Sequence, residues 1–327
     1  MSTNDSPSPS LSRRTLLTTG GTLMAGALLP GSPKARAADQ PAMPKPSADD
    51  FRYCLNTSTI REQNIGIEAE IDLAAKLGYH GIEPWIRQLD QYEASGGSLS
   101  DLKKRIDDAG LTVDSAIGFA RWIVDDEAER KAGLEQLKVD LDKLQQIGGT
   151  RIAAPPTGAT NGPKLDLLQA AERYRAILEI GAQFGIVPQL EVWGFSENLH
   201  RVGESTFVAM ESGHPAACLL PDVYHIYKGG SDFNTLHMLG GKAIHVFHLN
   251  DYPADPPRES ISDKDRVFPG DGVAPLGDIF HTLHEVGFRG TFSLELFNPT
   301  YWARDPEAVA REGLEKMKAS VQKAFDA

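Results

Sequence analysis

The sequence is poor in cysteine. Cys54 and Cys218 are the only two among 327 residues, so at most one disulfide can form and a disulfide-stapled scaffold is excluded. The two cysteines fall in different predicted strands. We therefore expect both to be core residues rather than partners in a bridge.

Basic residues are also in the minority. Lys and Arg total 33 against 45 Asp and Glu, which leaves a net charge of −12. Nucleic-acid backbones are bound largely by Lys and Arg that neutralise phosphates, so this balance argues against a nucleic-acid partner. No Gly-x-Gly-x-x-Gly follows the first predicted strand, which removes the usual support for a dinucleotide site. What remains is a globular composition, 41% hydrophobic and 24% charged, long enough for one large domain or two small ones.

The first forty residues have a different character from the rest. Arg13 and Arg14 are adjacent, a weakly apolar stretch rich in Gly, Ala and Thr follows, and residues 35–37 read Ala-Arg-Ala, a small-x-small cleavage pattern. This arrangement predicts a twin-arginine export signal over residues 1–37, a proline-rich linker over 38–50 and a catalytic domain over 51–327. The alternatives are a disordered basic tail or a membrane anchor, but the apolar run is short and glycine-rich for a span. We expect an exported, periplasmic protein that meets the twin-arginine export machinery.

An internal repeat predicts the architecture. Predicted helices end on a glycine and are followed within a few residues by a strand, and this happens at seven glycines: Gly78, Gly110, Gly148, Gly185, Gly213, Gly240 and Gly287. Glycine suits such positions because the residue after a helix often adopts a left-handed conformation. With the opening strand at 51–56 the strand count is eight, which favours an α/β fold of the (β/α)8 barrel type in a single domain. The alternative is a doubly wound open sheet, which requires no particular count of eight.

Four polar residues stand at equivalent places, at or near the ends of the last four predicted strands: Glu191, Asp222, His248 and Glu295. In a (β/α)8 barrel the carboxyl ends of the strands meet at one mouth, so the four side chains would converge. Three carboxylates together repel one another unless a cation neutralises them, and an oxygen-rich set with one imidazole suits Mn²⁺, Mg²⁺ or Co²⁺. Taken singly, each has a simpler explanation: a rim charge for either glutamate, a helix cap for Asp222 and a core histidine for His248.

With these residues in place, the chain over 51–325 resembles the xylose-isomerase-like superfamily of sugar isomerases, ketose 3-epimerases, inosose dehydratases and the endonuclease IV group. The motifs that carry the resemblance are Leu-Glu at 190–191, Asp-x-x-His at 222–225, His-Leu-Asn-Asp at 248–251 and Leu-Glu at 294–295. The resemblance implies that Glu191, Asp222, His248 and Glu295 bind one divalent metal. It also implies that Glu191 and Glu295 are the acid/base pair, and that His225 and Glu197 hold substrate hydroxyls.

Further candidates surround this set. Arg266 lies in the long polar stretch 250–272 after strand seven, which we expect to cover the active-site face, and it is either a substrate ligand or a surface partner of Asp263 or Asp265. Trp193, like Trp85 and Trp122, follows a strand and is either a wall against a sugar face or simple packing. Glu83, after strand two, is weighed as a hydroxyl ligand but is not assigned to the site.

These residues lead to a metal-dependent isomerase or epimerase of an unphosphorylated ketose or polyol ketone, acting through an enediolate. The alternative is a lyase or dehydratase, of the inosose dehydratase type or eliminating from a 3-keto-glycoside, because both reactions begin by removing an α-proton. Endonuclease activity is disfavoured because it needs extra histidines and a basic DNA-binding face. A non-catalytic sugar-binding barrel is a further alternative, but it would not need both glutamates. The cofactor is one divalent ion, with Mn²⁺ favoured and Mg²⁺, Co²⁺ or Zn²⁺ as alternatives. The partner is a small carbohydrate, and both a monomer and a homo-oligomer are compatible with the sequence.

Overall fold

The computed structural model describes residues 46–326, which belong to one compact unit, Lys45–Ala327. The predicted signal at 1–37, and the part of the predicted linker up to residue 45, lie outside the described residues. None of the helices in the described part is long and apolar enough to cross a membrane.

Eight parallel strands form the centre of the fold. They are β1 Arg52–Asn56, β2 Gly81–Glu83, β3 Thr112–Val113, β4 Arg151–Ala154, β5 Val187–Glu191, β6 Leu219–Leu220, β7 Val246–Leu249 and β8 Thr291–Leu294. Hydrogen-bonded pairing runs β3-β2-β1-β8-β7 in one group and β4-β5-β6 in the other. A parallel bridge between Asp222 and His248 joins β6 to β7, and the Ala116 amide donates to the Arg151 carbonyl between β3 and β4. The two groups therefore close into the predicted (β/α)8 barrel, and the open-sheet alternative is wrong.

Ten helices surround the strands in the described part of the chain. They are α1 Ile67–Leu77, α2 Ile86–Ala94, α3 Leu99–Asp108, α4 Glu127–Gln146, α5 Leu167–Phe184, α6 Val202–Glu211, α7 Val223–Lys228, α8 Leu276–Glu285, α9 Pro299–Trp302 and α10 Pro306–Asp326. Several begin at a side-chain cap: Ser98, Asp126 and Asp166 each accept a backbone N–H from the first turn of α3, α4 and α5. The longer helices bury one stripe, as α4 does through Leu137, Leu141 and Leu144.

Six of the seven predicted helix-ending glycines have positive φ and sit just after, or within two residues of, a helix end. Gly240 is the exception. Its φ is −76°, and it precedes a short 3₁₀ turn, Gly241–Ala243, rather than ending a helix. The segment between β6 and β7 instead carries the six-residue α7 and a 3₁₀ helix at Phe233–Met238, so no long helix ends at Gly240 and no left-handed cap is needed there.

Both cysteines are buried and unpaired, as expected for core residues. Trp122 is also core: its side chain is 1% exposed, donates from Nε1 to the Pro155 carbonyl and packs against Tyr174. Of the two readings of Trp122, packing is therefore correct, because the loop after β3 turns this ring inward, towards α5.

Candidate metal centre

Three side chains converge at the carboxyl ends of the strands. Glu191 ends β5, His248 lies in β7 and Glu295 follows β8, all three are buried, and one ligand atom from each lies within 4.8 Å of the other two. Glu191 Oε2 and His248 Nδ1 have no hydrogen-bond partner, although both are shielded from solvent. Burying polar atoms without partners is costly, and a divalent cation bound between them would satisfy both. The donor set, two carboxylates and an imidazole, fits such an ion.

His248 is held in the correct orientation for this role by a residue of β2. Its Nε2 lies 3.1 and 3.2 Å from the two carboxylate oxygens of Glu83, so Nε2 would keep its proton and Nδ1 would be the nitrogen that binds an ion at the centre. Glu83 itself accepts from Ser293 Oγ at 2.6 Å. The sequence interpretation considered Glu83 only as a hydroxyl ligand, whereas here its carboxylate fixes the tautomer of a metal-ligand candidate.

Asp222 lies at the edge of the centre rather than in the three-residue cluster. Its Oδ1 caps α7 by accepting the His225 amide at 2.8 Å, so the helix-cap explanation is correct for this oxygen. Its Oδ2 faces the centre, 3.8 Å from His248 Nδ1, and accepts from Asn250 and Arg266 at 2.9 Å each. Asp222 therefore stays a predicted ligand, through Oδ2 only.

Arg266 is buried at the centre. The side chain is 1% exposed, and Nη1 donates at 2.9 Å to both Asp222 Oδ2 and Glu295 Oε2. Nη2 reaches Asp263, one of the two partners weighed from the sequence, but the contact is not at the surface. The surface-pair explanation is wrong because the loop after β7 folds inward and the guanidinium stacks on Tyr224, 4.5 Å from the ring centroid.

The two glutamates have opposite electrostatic environments. Burial raises the pKa of Glu191 to about 8, and the nearby His248 offsets this only in part. Burial would also raise the pKa of Glu295, but the charges of His248 and Arg266 outweigh it and lower that pKa to about 2. For His248, burial acts to lower the pKa, and the carboxylates of Glu295 and Glu83 reverse the effect and raise it.

His225 is poised to donate a hydrogen bond. Burial lowers its pKa to about 3, so the ring is neutral, and its Nδ1 accepts the Gly194 amide at 3.2 Å. Nε2 then carries the proton and faces Arg266 Nη2 at 3.1 Å, so two donors oppose each other. An oxygen that accepted from both groups would relieve this contact. The approach of Gly194 to α7 requires glycine, because a Cβ there would lie 2.4 Å from the His225 carbonyl oxygen.

Two asparagines connect these groups, and the sequence interpretation missed both. Asn56, at the end of β1, donates from Nδ2 to Glu83 and to Glu295 and accepts from Trp85 Nε1. Asn250, just past β7, donates to Asp222. A polar residue at the carboxyl end of a barrel strand is the signal that found Glu191, and the same rule applied to neutral amides would have found Asn56.

A cavity of about 400 Å³ opens above the centre. It is lined by Glu191, Glu295, His225, Arg266 and Trp193, together with a group of aromatic residues and three charged residues at the rim. Of the eight site residues predicted from the sequence, these five line the cavity: Glu191 ends β5, Trp193 and Glu295 follow β5 and β8, His225 lies in α7, and Arg266 comes from the loop after β7. Glu197 does not join them: its side chain is exposed and is not part of the cavity wall, so its role as a hydroxyl ligand stays a prediction.

A larger cavity, about 520 Å³, lies beside α1 and α2. It is lined by a mixture of Arg61, Arg87, Glu62, Glu68 and Glu70, and none of the three converging residues reaches it. Cavity size alone therefore does not identify the candidate site; the buried set of metal-ligand atoms identifies it.

The fold and this centre together define a class, a (β/α)8 barrel with a candidate divalent-metal site at the carboxyl ends of its strands. The chain belongs to the xylose isomerase-like TIM barrel family, whose sequence profile matches residues 71–320. It is 25% identical over 280 residues to an inosose isomerase of Bacillus velezensis, covering 84% of this chain and 99% of that protein. It is 20% identical over 253 residues to a 3-dehydroshikimate dehydratase of Pseudomonas putida, covering 76% of this chain and 39% of that protein.

The fold also matches solved structures. A crystal structure of the IOLI protein with a bound zinc atom superposes with a TM-score of 0.78 at 22% identity, covering 85% of this chain and all of that one. The likeness supports the barrel, and the zinc belongs to that protein. The relatives carry the names of enzymes, which supports an enzymatic role for this chain, with a divalent metal in the site described above.

Proposed function

We propose that the protein is a divalent-metal-dependent isomerase or epimerase of an unphosphorylated ketose or polyol ketone. The observation that carries the proposal is the pair of buried glutamates, Glu191 and Glu295, which converge with His248 from strands three places apart in the barrel. When bound, a divalent ion would supply positive charge to the carbonyl and hydroxyl oxygens of the substrate as an enediolate develops. Mn²⁺ is the ion we favour.

The two glutamates transfer the proton. One carboxylate removes the hydrogen from the carbon next to the carbonyl, and the other returns a proton either to the opposite face of that carbon or to its neighbour. Asn56 and Arg266 hold Glu295 through its two oxygens, while Glu191 keeps one oxygen without a partner. Glu191 is therefore the less constrained of the pair and is suited to carry the proton from one substrate atom to another.

Substrate oxygens would bind above this pair. His225 Nε2 and Arg266 Nη2 lie 3.1 Å apart at the cavity wall, and we assign them as donors to a hydroxyl or carbonyl oxygen of the substrate. Trp193 supplies an apolar wall for the C–H face of the sugar. Export of the mature protein to the periplasm remains part of the proposal, and it favours unphosphorylated substrates.

A lyase or dehydratase is the second candidate. The similarity to a 3-dehydroshikimate dehydratase favours it, and the same glutamate pair could remove the α-proton before a leaving group departs from the adjacent carbon. The two reactions share their first step and differ in where the electron pair goes afterwards.

Solvent exchange in D₂O tests both. The Mn²⁺-loaded protein is incubated with ketoses, inososes and 3-keto-glycosides, and products are followed by NMR and mass spectrometry. We expect deuterium at the α-carbon of a recovered isomer. Release of water or an aglycone without an isomer would instead establish the lyase.

The matched variants are Glu295→Gln and Glu211→Gln. Glu211 is an exposed carboxylate at the end of α6 that does not line the cavity, and its substitution should leave exchange unchanged. Glu295→Gln should keep the fold and abolish exchange, since it removes one member of the acid/base pair. Normal exchange by Glu295→Gln would show that the acid/base assignment is wrong.

A further inference from the structure

Five aromatic rings form a continuous arc around the mouth of the barrel. In order they are Phe297, Trp85, Phe119, Trp193 and Phe195, and their successive centroid distances are 5.9, 5.2, 6.1 and 5.1 Å. All five line the cavity above the metal centre. The arc ends against His225, 5.7 Å from the Phe195 ring, so it is continuous with the site that holds the reacting carbons.

Packing within the protein does not account for the outer members of this arc. Phe119 is 40% exposed and Phe195 is 45% exposed, whereas Trp85 is 8% exposed. Rings that line a cavity and keep this much surface in water are typical of a binding wall for a ligand with an apolar face.

The cavity is also larger than a single sugar ring requires. A hexose has twelve heavy atoms. If each occupied the ~30 Å³ of a liquid water molecule, the total would be ~360 Å³, and this is an overestimate because bonded atoms overlap. The cavity measures about 400 Å³ and is open to solvent, and Phe119 and Phe195 keep 40% and 45% of their surface exposed along its wall, where a substrate larger than one ring can extend.

Polar groups at the rim indicate what fills that part. Arg61 lies over the Trp302 and Phe297 rings, 4.6 and 5.2 Å from their centroids, and Lys264 and Asp263 complete the cavity wall. A flat apolar wall edged by charged donors and an acceptor suits a second sugar ring, whose C–H face stacks on aromatics while its hydroxyls reach the edge.

We propose that the cavity takes a two-ring substrate, a keto-sugar joined through its glycosidic oxygen to a second sugar ring. The carbonyl-bearing ring lies against Glu191 and Glu295, and the second ring lies on Phe119, Trp193 and Phe195. This assignment of substrate class rests on the proposed α-proton removal by the glutamate pair, but the second-ring site is a separate feature with a separate readout.

The test compares one keto-hexose ring in two forms, as its methyl glycoside and carrying a second glucose ring. With the full-length Mn²⁺-loaded protein, we expect kcat/KM for α-deuterium exchange to be at least about tenfold higher for the two-ring form. Phe119→Ala should lower that value about tenfold more than it lowers the value for the methyl glycoside. Phe207→Ala, at an equally exposed phenylalanine on α6, should change neither.

Equal kcat/KM for the two forms, or an equal loss on both in Phe119→Ala and in Phe195→Ala, would overturn the proposal. Failure of the proton chemistry is recognised separately, because neither form would then exchange. In that case calorimetric binding to the Mn²⁺-loaded wild-type protein decides: tighter binding of the two-ring form, lost in Phe119→Ala, supports the second-ring site, and equal binding of the two forms refutes it.

Discussion

Replacing Glu83 by glutamine should weaken metal binding although Glu83 is not a predicted ligand. His248 donates its Nε2–H to both oxygens of this buried carboxylate, which leaves Nδ1 free to bind the ion. A glutamine side chain is neutral, and its amide can turn to donate to Nε2 instead. The histidine proton would then move to Nδ1, where it blocks ligation.

The size of the effect follows from the contact. A hydrogen bond to a charged group contributes about 1.5–3 kcal/mol, and a neutral acceptor retains roughly half of that. The loss is therefore about 1–1.5 kcal/mol, or roughly a tenfold rise in the metal Kd, before any change of tautomer is counted. Substitutions of such supporting residues generally cost about 10–100-fold in metal affinity, which brackets this value.

The assay is competition for Mn²⁺ or Zn²⁺ against a chromophoric chelator, with the Tm of the metal-free protein measured alongside. Glu211→Gln removes the same charge from the exposed surface of α6 and is the matched control. Asn56 and Ser293, the other donors to Glu83, can still donate to the glutamine oxygen, so the metal-free Tm should stay close to that of the wild type. A metal Kd within about twofold of the wild type, with the fold intact, would refute the role assigned to Glu83.

Three further outcomes are expected. Gly194→Ala should lower the free energy of unfolding by about 1–3 kcal/mol in urea and raise KM, because the added Cβ overlaps the α7 backbone. Unchanged values would show that the loop moves to accommodate the Cβ. Burial raises the pKa of Glu70 to about 7, so its contribution to stability is present below pH ~4.3 and is lost as pH rises through about 7. Glu70→Gln should therefore be more stable than the wild type at pH 8, by up to about 3 kcal/mol, with the gap closing towards pH 4, and a pH-independent difference would contradict this. Changing both Arg13 and Arg14 to Lys should leave the protein in the cytoplasmic fraction, and periplasmic recovery at the wild-type level would count against a twin-arginine signal.

The barrel could be predicted from local patterns. Gly78, Gly110 and the other helix-ending glycines mark a repeat that depends only on neighbouring residues, since a left-handed residue after a helix is a local requirement. The same logic failed at Gly240, where the helix before it is replaced by short 3₁₀ turns. A glycine does not by itself show that a helix precedes it.

The site could be predicted in part for the same reason. Glu191, His248 and Glu295 stood out as charges in apolar strands, and the parallel barrel necessarily brings strand ends together. Arg266 left two readings open, because the path of a long loop is not a local property. Glu197 was assigned by resemblance and lies exposed, outside the cavity wall.

The sequence by itself determined the strand count, the parallel barrel and the convergence of a histidine with two glutamates, because each follows from periodicity along the chain. Tertiary structure alone decided which side chains surround and contact those groups. Glu83 from β2 meets His248 from β7, Arg266 from a distant loop enters between Asp222 and Glu295, and five rings from separate loops join into one arc. These contacts join residues far apart in sequence, so only the closed barrel brings them within hydrogen-bonding distance.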